Sequence, residues 1–191
     1  MAKPEQTEAY DKALSSNLAR TLDLLKFAEA KNAALLAFAS AWIVGLVNLL
    51  SSGKILPFGY TTACVTALPL FVVAAVLAII SLLPKLSTST FTHEPKGQSR
   101  NLLFFGDIAA MTVEEFKLEI RKAHWPAPGE AASATYLDNM EGQIAINSKI
   151  AKRKYRLFNW GASTALLAVS TFAIPTAWLT GCAILTWICL Q

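Results

Sequence analysis

The run AALLAFASAWIVGLVNLL (33–50), the connector SSGKILPFG (51–59) and the run YTTACVTALPLFVVAAVLAIISLL (60–83) decide the fold. Neither long run contains a charge, and each is long enough to cross a hydrocarbon core of roughly 30 Å, which takes about 20 residues of helix. Nine Leu, Ile, Val and Phe residues in 33–50, at about 0.3 to 0.6 kcal/mol each, outweigh Ser40, Gly45 and Asn48. The connector is too short for a domain. The reading is a transmembrane hairpin over 33–83, with spans 33–50 and 60–83, so that 1–32 and everything after Leu83 share one side.

Lys54 is the only charged residue between the two spans, which leaves 16 of the 17 Lys and Arg and all 13 acidic residues on the shared side. By the positive-inside bias that side is the cytosol. A hydrophobic content of 54% and a mean hydropathy of +0.42 would also suit a dense soluble core, but the apolar residues are blocked rather than periodic, which favours lipid. Residues 1–32 are charged and hold no signal peptide, so the first span is expected to act as the anchor. Cys64, Cys182 and Cys189 lie in apolar segments without ligand spacing and read as packing residues. A net charge of +4, mixed in sign, does not suit a nucleic-acid groove, so no DNA or RNA partner is expected.

Leu14, Leu18, Leu22 (with Thr21) and Leu25 recur at helical spacing, and no Pro or Gly occurs between Pro4 and Gly45. One continuous helix is predicted from the cytosol through the first span. Residues 87–100, with prolines, a Gly and hydroxyls close by, read as a flexible linker. Asn101 to Asp107 is a short apolar run closed by a turn. Thr112-Val-Glu-Glu115 has capping-box spacing and starts a helix from Val113 to about His124, ended by Trp125-Pro-Ala-Pro-Gly129. A further helix begins near Ser133, and Leu137, Met140, Ile144, Ser148, Ala151, Tyr155 and Phe158 form a stripe leading into the last apolar segment.

That segment, Asn159 to Gln191, has 33 uncharged residues, about 50 Å as one helix, too long for one straight span and barely enough for two. Pro175 either kinks one tilted helix or seeds a turn between two short spans. Three spans with a kinked or overlong third is the expectation. The predicted class is an all-α membrane protein with an N-terminal transmembrane hairpin, a helical cytosolic module and a C-terminal transmembrane segment, its long helices running from cytosol into membrane. The expected parts are 1–32, a cytosolic amphipathic helix; 33–83, the hairpin; 84–157, the cytosolic linker and helical sensing module; and 158–191, the C-terminal transmembrane segment.

No nucleophile with its base, metal cluster or paired acids in a pocket is legible, so neither catalysis nor a cofactor is expected. His93 in the linker and His124 at a helix end read as surface or capping residues. The cluster Lys149, Lys152, Arg153, Lys154, Arg156 before the last segment is a topology signal and headgroup contact, or Arg153 or Lys149 faces inward to hold a phosphate. Gln143 and Asn147, four residues apart, either read a base edge or join helices. Asn32 and Lys31 mark the entry into lipid, and suit a junctional ligand site as well as a plain interface. Phe105, beside Phe104, stacks on a base or belongs to a core. Asp107 caps a turn or short helix, or accepts from a ribose hydroxyl.

Three stretches together carry a resemblance: Leu25-Lys-Phe-Ala-Glu-Ala-Lys-Asn-Ala-Ala-Leu-Leu36, Asn101-Leu-Leu-Phe-Phe-Gly-Asp-Ile-Ala109 with Glu114-Glu115, and Gln143-Ile-Ala-Ile-Asn-Ser-Lys-Ile-Ala-Lys-Arg-Lys-Tyr155. Over roughly residues 14–175 the chain resembles the membrane-bound Pycsar effector family. The resemblance implies bacterial antiphage defence. A partner nucleotide cyclase makes a cyclic nucleotide (cyclic UMP or cyclic CMP, with a cyclic oligonucleotide as the variant), and the effector responds by breaching the inner membrane, an abortive infection. Multi-pass insertion in the inner membrane, contact with lipid and a homo-oligomer follow as expectations. With the resemblance transferring no contact list, Lys31, Asn32, Phe105, Asp107, Gln143, Asn147 and Arg153 are the ligand contacts expected from chemistry. A membrane adaptor without enzymatic activity and a constitutive pore-forming toxin are the alternatives.

Overall fold

The computed structural model describes residues 4–83 and 100–189; the linker read at 87–100, with His93, lies outside them except for Arg100. Six helices are present, α1 (Pro4–Ser51), α2 (Tyr60–Leu82), α3 (Phe105–Ala109), α4 (Val113–His124), α5 (Ala134–Ser170) and α6 (Ala173–Cys189), and no strand occurs among the described residues. The protein is an all-α membrane protein: α1, α2 and the stretch from Ala134 to Cys189 are long and apolar enough to cross a bilayer. The unbroken α1 accords with the absence of Pro and Gly before Gly45. The run after Asn101 winds into the short α3, the short-helix alternative for the stretch that Asp107 closes.

The chain divides into two units, one of residues 1–27 with 84–152 and one of 28–83 with 153–191.

In the first unit the N-terminal part of α1 buries Leu14 and Thr21, with Leu18 and Leu25 half-buried, whereas Leu22 points outward. Steps of four and three keep this stripe on one face. On α5, Met140 and Gln143 are buried, and Tyr10 of α1 donates to Glu141 Oε1 at 2.7 Å. That bond, with the neighbouring negative charge, raises the Tyr10 phenol above its ordinary range. Helix α4 starts as expected, since Thr112 Oγ1 accepts from Glu115 N and Glu115 Oε2 accepts from Thr112 N. Ser133 Oγ accepts from Tyr136 N to cap α5, and donates to the Ala123 carbonyl at 2.8 Å.

In the second unit the core is made largely of alanine. Ala67, Ala74 and Ala78 of α2 are fully buried with Phe71, against Leu35, Ala39 and Leu46 of α1 and Ala165 and Ala168 of α5. Small side chains at steps of three and four let helix backbones approach closely, which is how spans associate where lipid removes any hydrophobic advantage. Trp42 stacks on Phe71 at 5.3 Å between ring centroids, and Phe172 closes the cluster at 5.8 Å from Trp42. Val44, Val72, Val76 and Leu166 point outward, as lipid-facing residues should. Gly59 starts α2 in the left-handed region (φ 82°) with Pro175 packed against it, so a side chain there would be strained and tightly packed.

The third apolar segment breaks at Thr171–Phe172, where Thr171 N bonds Ala168 O and Phe172 N bonds Val169 O in tight three-residue turns. Pro175 is the cause. It offers no N–H to the Thr171 carbonyl and its ring crowds that oxygen, while in the first turn of α6 a missing N–H costs nothing.

Candidate functional site

In the first unit a cavity of about 370 Å³ opens between the chain at residues 100–102, Met111, α4 and the start of α5. Its lining residues on α4 are Glu115, Leu118, Glu119 and Ala123; Leu118 and Glu119 lie three and four residues after Glu115, and Ala123 four after Glu119, so all share one face. Leu102, Met111 and Thr135 complete the wall, and among the described residues Arg100 is its one cation.

The walls are held by local hydrogen bonds. Asn101 Oδ1 accepts from Leu103 N at 2.9 Å, Asn101 N donates to Asp107 Oδ2 at 2.9 Å, and Asn101 Nδ2 donates to the Asn139 carbonyl at 3.1 Å. This set places Leu102 inward and Arg100 at the rim. Asn139 Nδ2 lies 2.9 Å from His124 Nε2, which fixes the end of α4. Burial pushes the His124 imidazole below its usual range, so its packing favours the neutral ring. Glu115 is held below the usual carboxylate range, chiefly by the Thr112 backbone N–H and then its hydroxyl, with a smaller contribution from Arg100. The Glu119 side chain makes no hydrogen bond or ion pair among the described residues. The cavity thus offers an apolar floor, one guanidinium and one uncommitted carboxylate.

None of the seven contacts expected from sequence lines this cavity. Four of them, Phe105, Asp107, Gln143 and Asn147, belong to the first unit. Phe105 is 62% exposed and tilts against Phe104 at 5.0 Å. Asp107 is engaged with Asn101 N. Gln143 is buried and accepts from Asn147 Nδ2 at 3.4 Å, while its own Nε2 lacks a partner.

Lys31, Asn32 and Arg153 belong to the second unit. Lys31 Nζ lies 5.7 Å from the Tyr155 ring centroid and 5.4 Å from that of Phe158. Asn32 is fully buried; its Nδ2 donates to the Ala28 carbonyl at 2.8 Å and to the Lys154 carbonyl at 3.3 Å, and its Oδ1 lacks a partner. Arg153 is half-buried. The cation that turns inward is its neighbour. Lys154 Nζ donates to Glu29 Oε1 and to the Ser81 carbonyl, each at 3.0 Å, joining α1, the end of α2 and α5. Sequence reasoning singled out Arg153 and Lys149 in that cluster and missed Lys154. The available signal was its spacing, three residues after Ala151 and seven before Gly161, both buried. Arg100 was missed because it closes the stretch read as linker.

Among the described residues no group of three or more His, Cys, Asp or Glu is placed to hold a metal ion. The fold and site define a multi-span all-α membrane protein whose other unit carries a cavity of small-molecule size. Comparison with known proteins narrows that class. Residues 13–184 match the family described as the Pycsar effector protein domain. The chain is also similar to the Pycsar effector protein RsPycTM of a Rhizobium species, with 40% identity over 162 residues, 85% of this chain and 91% of that protein. It belongs to the Pycsar effector family and is an antiphage membrane effector. No solved structure matches it.

Proposed function

We propose that the first unit lies in the cytosol and receives a cyclic nucleotide made by a partner cyclase, and that the second unit, in the inner membrane, responds by breaching the bilayer. The observation that carries this reading is the cavity itself, about 370 Å³ with Arg100 beside an apolar floor, in a chain of this family. Small-molecule sites run from roughly 300 to 1,000 Å³, so a cyclic mononucleotide fits, whereas a cyclic oligonucleotide would engage it only in part. Arg100 takes the phosphate, which a planar guanidinium grips with two parallel bonds. Leu102, Met111 and Ala123 take the base, and Glu119 accepts from a base amine or a ribose hydroxyl.

The bonds already made by Asn32, Asp107, Gln143 and Asn147 support positioning roles for them rather than direct contact. Helices α1 and α5 each contribute to both units without a break, so a ligand that prefers one arrangement of either helix can shift the other unit's equilibrium. So few spans enclose a pore only as several copies, hence a homo-oligomer within the lipid.

The test is dye release from liposomes holding the purified protein. Cyclic CMP or cyclic UMP is expected to trigger release, and Arg100→Ala to abolish the response while leaving insertion intact. Silence towards every cyclic mono- and oligonucleotide overturns the proposal. Release without any nucleotide would instead mark a constitutive toxin.

A further inference from the structure

Residues 153–170 of α5 already complete a crossing alongside α2. Lys154 Nζ reaches the Ser81 carbonyl near the end of α2, Gly161 lies against Ala74 and Leu77, and Thr171 Oγ1 donates to the Ala63 carbonyl at 3.3 Å near its start. The register is antiparallel throughout. From Ala63 to Ser81 a helix rises about 27 Å, close to the thickness of a hydrocarbon core. Helix α6 therefore starts where this crossing ends. Its first turns sit on the α1–α2 connection: Pro175 packs on Gly59, Thr176 Oγ1 is 3.2 Å from the Tyr60 hydroxyl, and the Trp178 ring is 5.9 Å from Phe58. From Trp178 to Cys189 no residue is buried.

What surrounds the rest of α6 follows from its chemistry. Ala173 to Cys189 is 17 residues without a charge, and Ile184, Leu185, Trp187 and Ile188 are each more than half exposed. Water is a poor neighbour for such a surface. A helix lying among headgroups needs a strongly polar face, and α6 has none. Its hydroxyls are also turned inward: Thr176, Thr180 and Thr186 donate to the carbonyls of Phe172, Thr176 and Cys182 at 2.6, 3.0 and 3.0 Å. A side chain that satisfies itself on its own helix suits hydrocarbon, where an unmet polar group costs several kcal/mol.

We infer that α6 re-enters the bilayer as a fourth embedded helix, turning at Thr171–Phe172 and carrying Cys189 back towards the side on which Lys154 enters. Its 17 residues rise about 26 Å, enough to approach the far interface. Its partner is the acyl chains.

Thiol labelling with a membrane-impermeant maleimide, in intact cells and in inverted vesicles, tests this with Cys189 as the single thiol after Cys64→Ala and Cys182→Ala. Ser52→Cys and Thr135→Cys, each in a cysteine-free background, calibrate the two sides. Cys189 is expected to react from the Thr135 side, or to stay protected until detergent is added. Reaction from the Ser52 side overturns the inference. A second measurement, on protein with its native cysteines, separates lipid from another copy of the chain. Bromines carried on phosphatidylcholine acyl chains should quench tryptophan emission, and the quenched fraction should fall by about half or more in Trp178→Phe/Trp187→Phe. An unchanged fraction places protein around α6 instead and overturns the assignment to lipid.

Discussion

Lys154 and Glu29, 125 residues apart in the chain, meet at 3.0 Å in the second unit, and the same ammonium serves the Ser81 carbonyl at the end of α2. The pair is unequal: the lysine side chain is 11% exposed and the glutamate 49%. Water therefore screens the ion pair, and the larger energetic term is the bond to Ser81 O, one of the carbonyls that a helix end leaves without a partner. Lys154→Met keeps the packing volume and deletes both bonds. We expect a loss of about 1–3 kcal/mol, the usual cost of a buried acceptor left unmet, measured as the unfolding midpoint in detergent. Glu29→Gln should cost much less, because an amide oxygen still accepts from Nζ. Equal losses in the two variants would show that charge pairing dominates.

The uncommitted Glu119 carboxylate makes base choice testable. A carboxylate only accepts, so it favours the exocyclic amine of cytosine and opposes the O4 oxygen that uracil presents there. Wild-type protein should bind cyclic CMP more tightly than cyclic UMP by roughly tenfold, equivalent to about 1–3 kcal/mol for a good pair. In Glu119→Gln, whose amide also donates, the preference should shrink or invert, as read by calorimetry on the solubilised protein. A preference untouched by the substitution would remove Glu119 from base reading.

His124 is expected to make the first unit sensitive to acid. Its ring is part-buried next to Asn139 Nδ2, and burial lowers its pKa below the ordinary value of 6.5. The unfolded chain then binds the proton more readily than the folded one. Stability is complete above about pH 7, declines as the pH falls through 6.5 towards the lowered folded value, and levels off below it. Thermal unfolding followed between pH 5 and 8 should show that decline, and His124→Gln should flatten it. A variant with the same pH profile would assign the effect to another group.

Local chemistry was legible in the sequence and long-range choice was not. The hairpin declared itself because 33–50 and 60–83 contain no charge, and the α4 start because Thr112 and Glu115 stand at capping-box spacing. Which of five neighbouring cations turns inward is settled by Glu29 and Ser81, 125 and 73 residues away, and no local pattern encodes that. The cavity was hidden for the same reason, since Arg100 and Thr135 meet α4 only once Asn101 has fastened its turn to Asn139. Pro175 was read as a kink or a turn in the last apolar segment. Its effect falls upstream, at the carbonyl of Thr171 that it leaves unpartnered.

Gly161 provides the sharpest packing test of the second unit. A Cβ there would lie 2.7 Å from Leu35 Cδ2 and 3.4 Å from the Ala74 carbonyl oxygen. The nearer atom is the tip of a flexible side chain, so Gly161→Ala is met by a Leu35 rotamer shift costing of order 0.5–1.5 kcal/mol. Replacing a helical glycine by alanine returns about 0.8–1.0 kcal/mol, and the two terms nearly cancel. Gly161→Leu cannot be met that way, because the added carbons would run into the α1 side chains beyond Leu35 and the α2 backbone at Ala74. Overpacking should destabilise by about 1–3 kcal/mol and part α5 from the hairpin. Unfolding in detergent should place alanine within about 0.5 kcal/mol of wild type and leucine well below it. A leucine variant as stable as wild type would mean that the α1–α2–α5 contact is looser than the 2.7 Å approach requires.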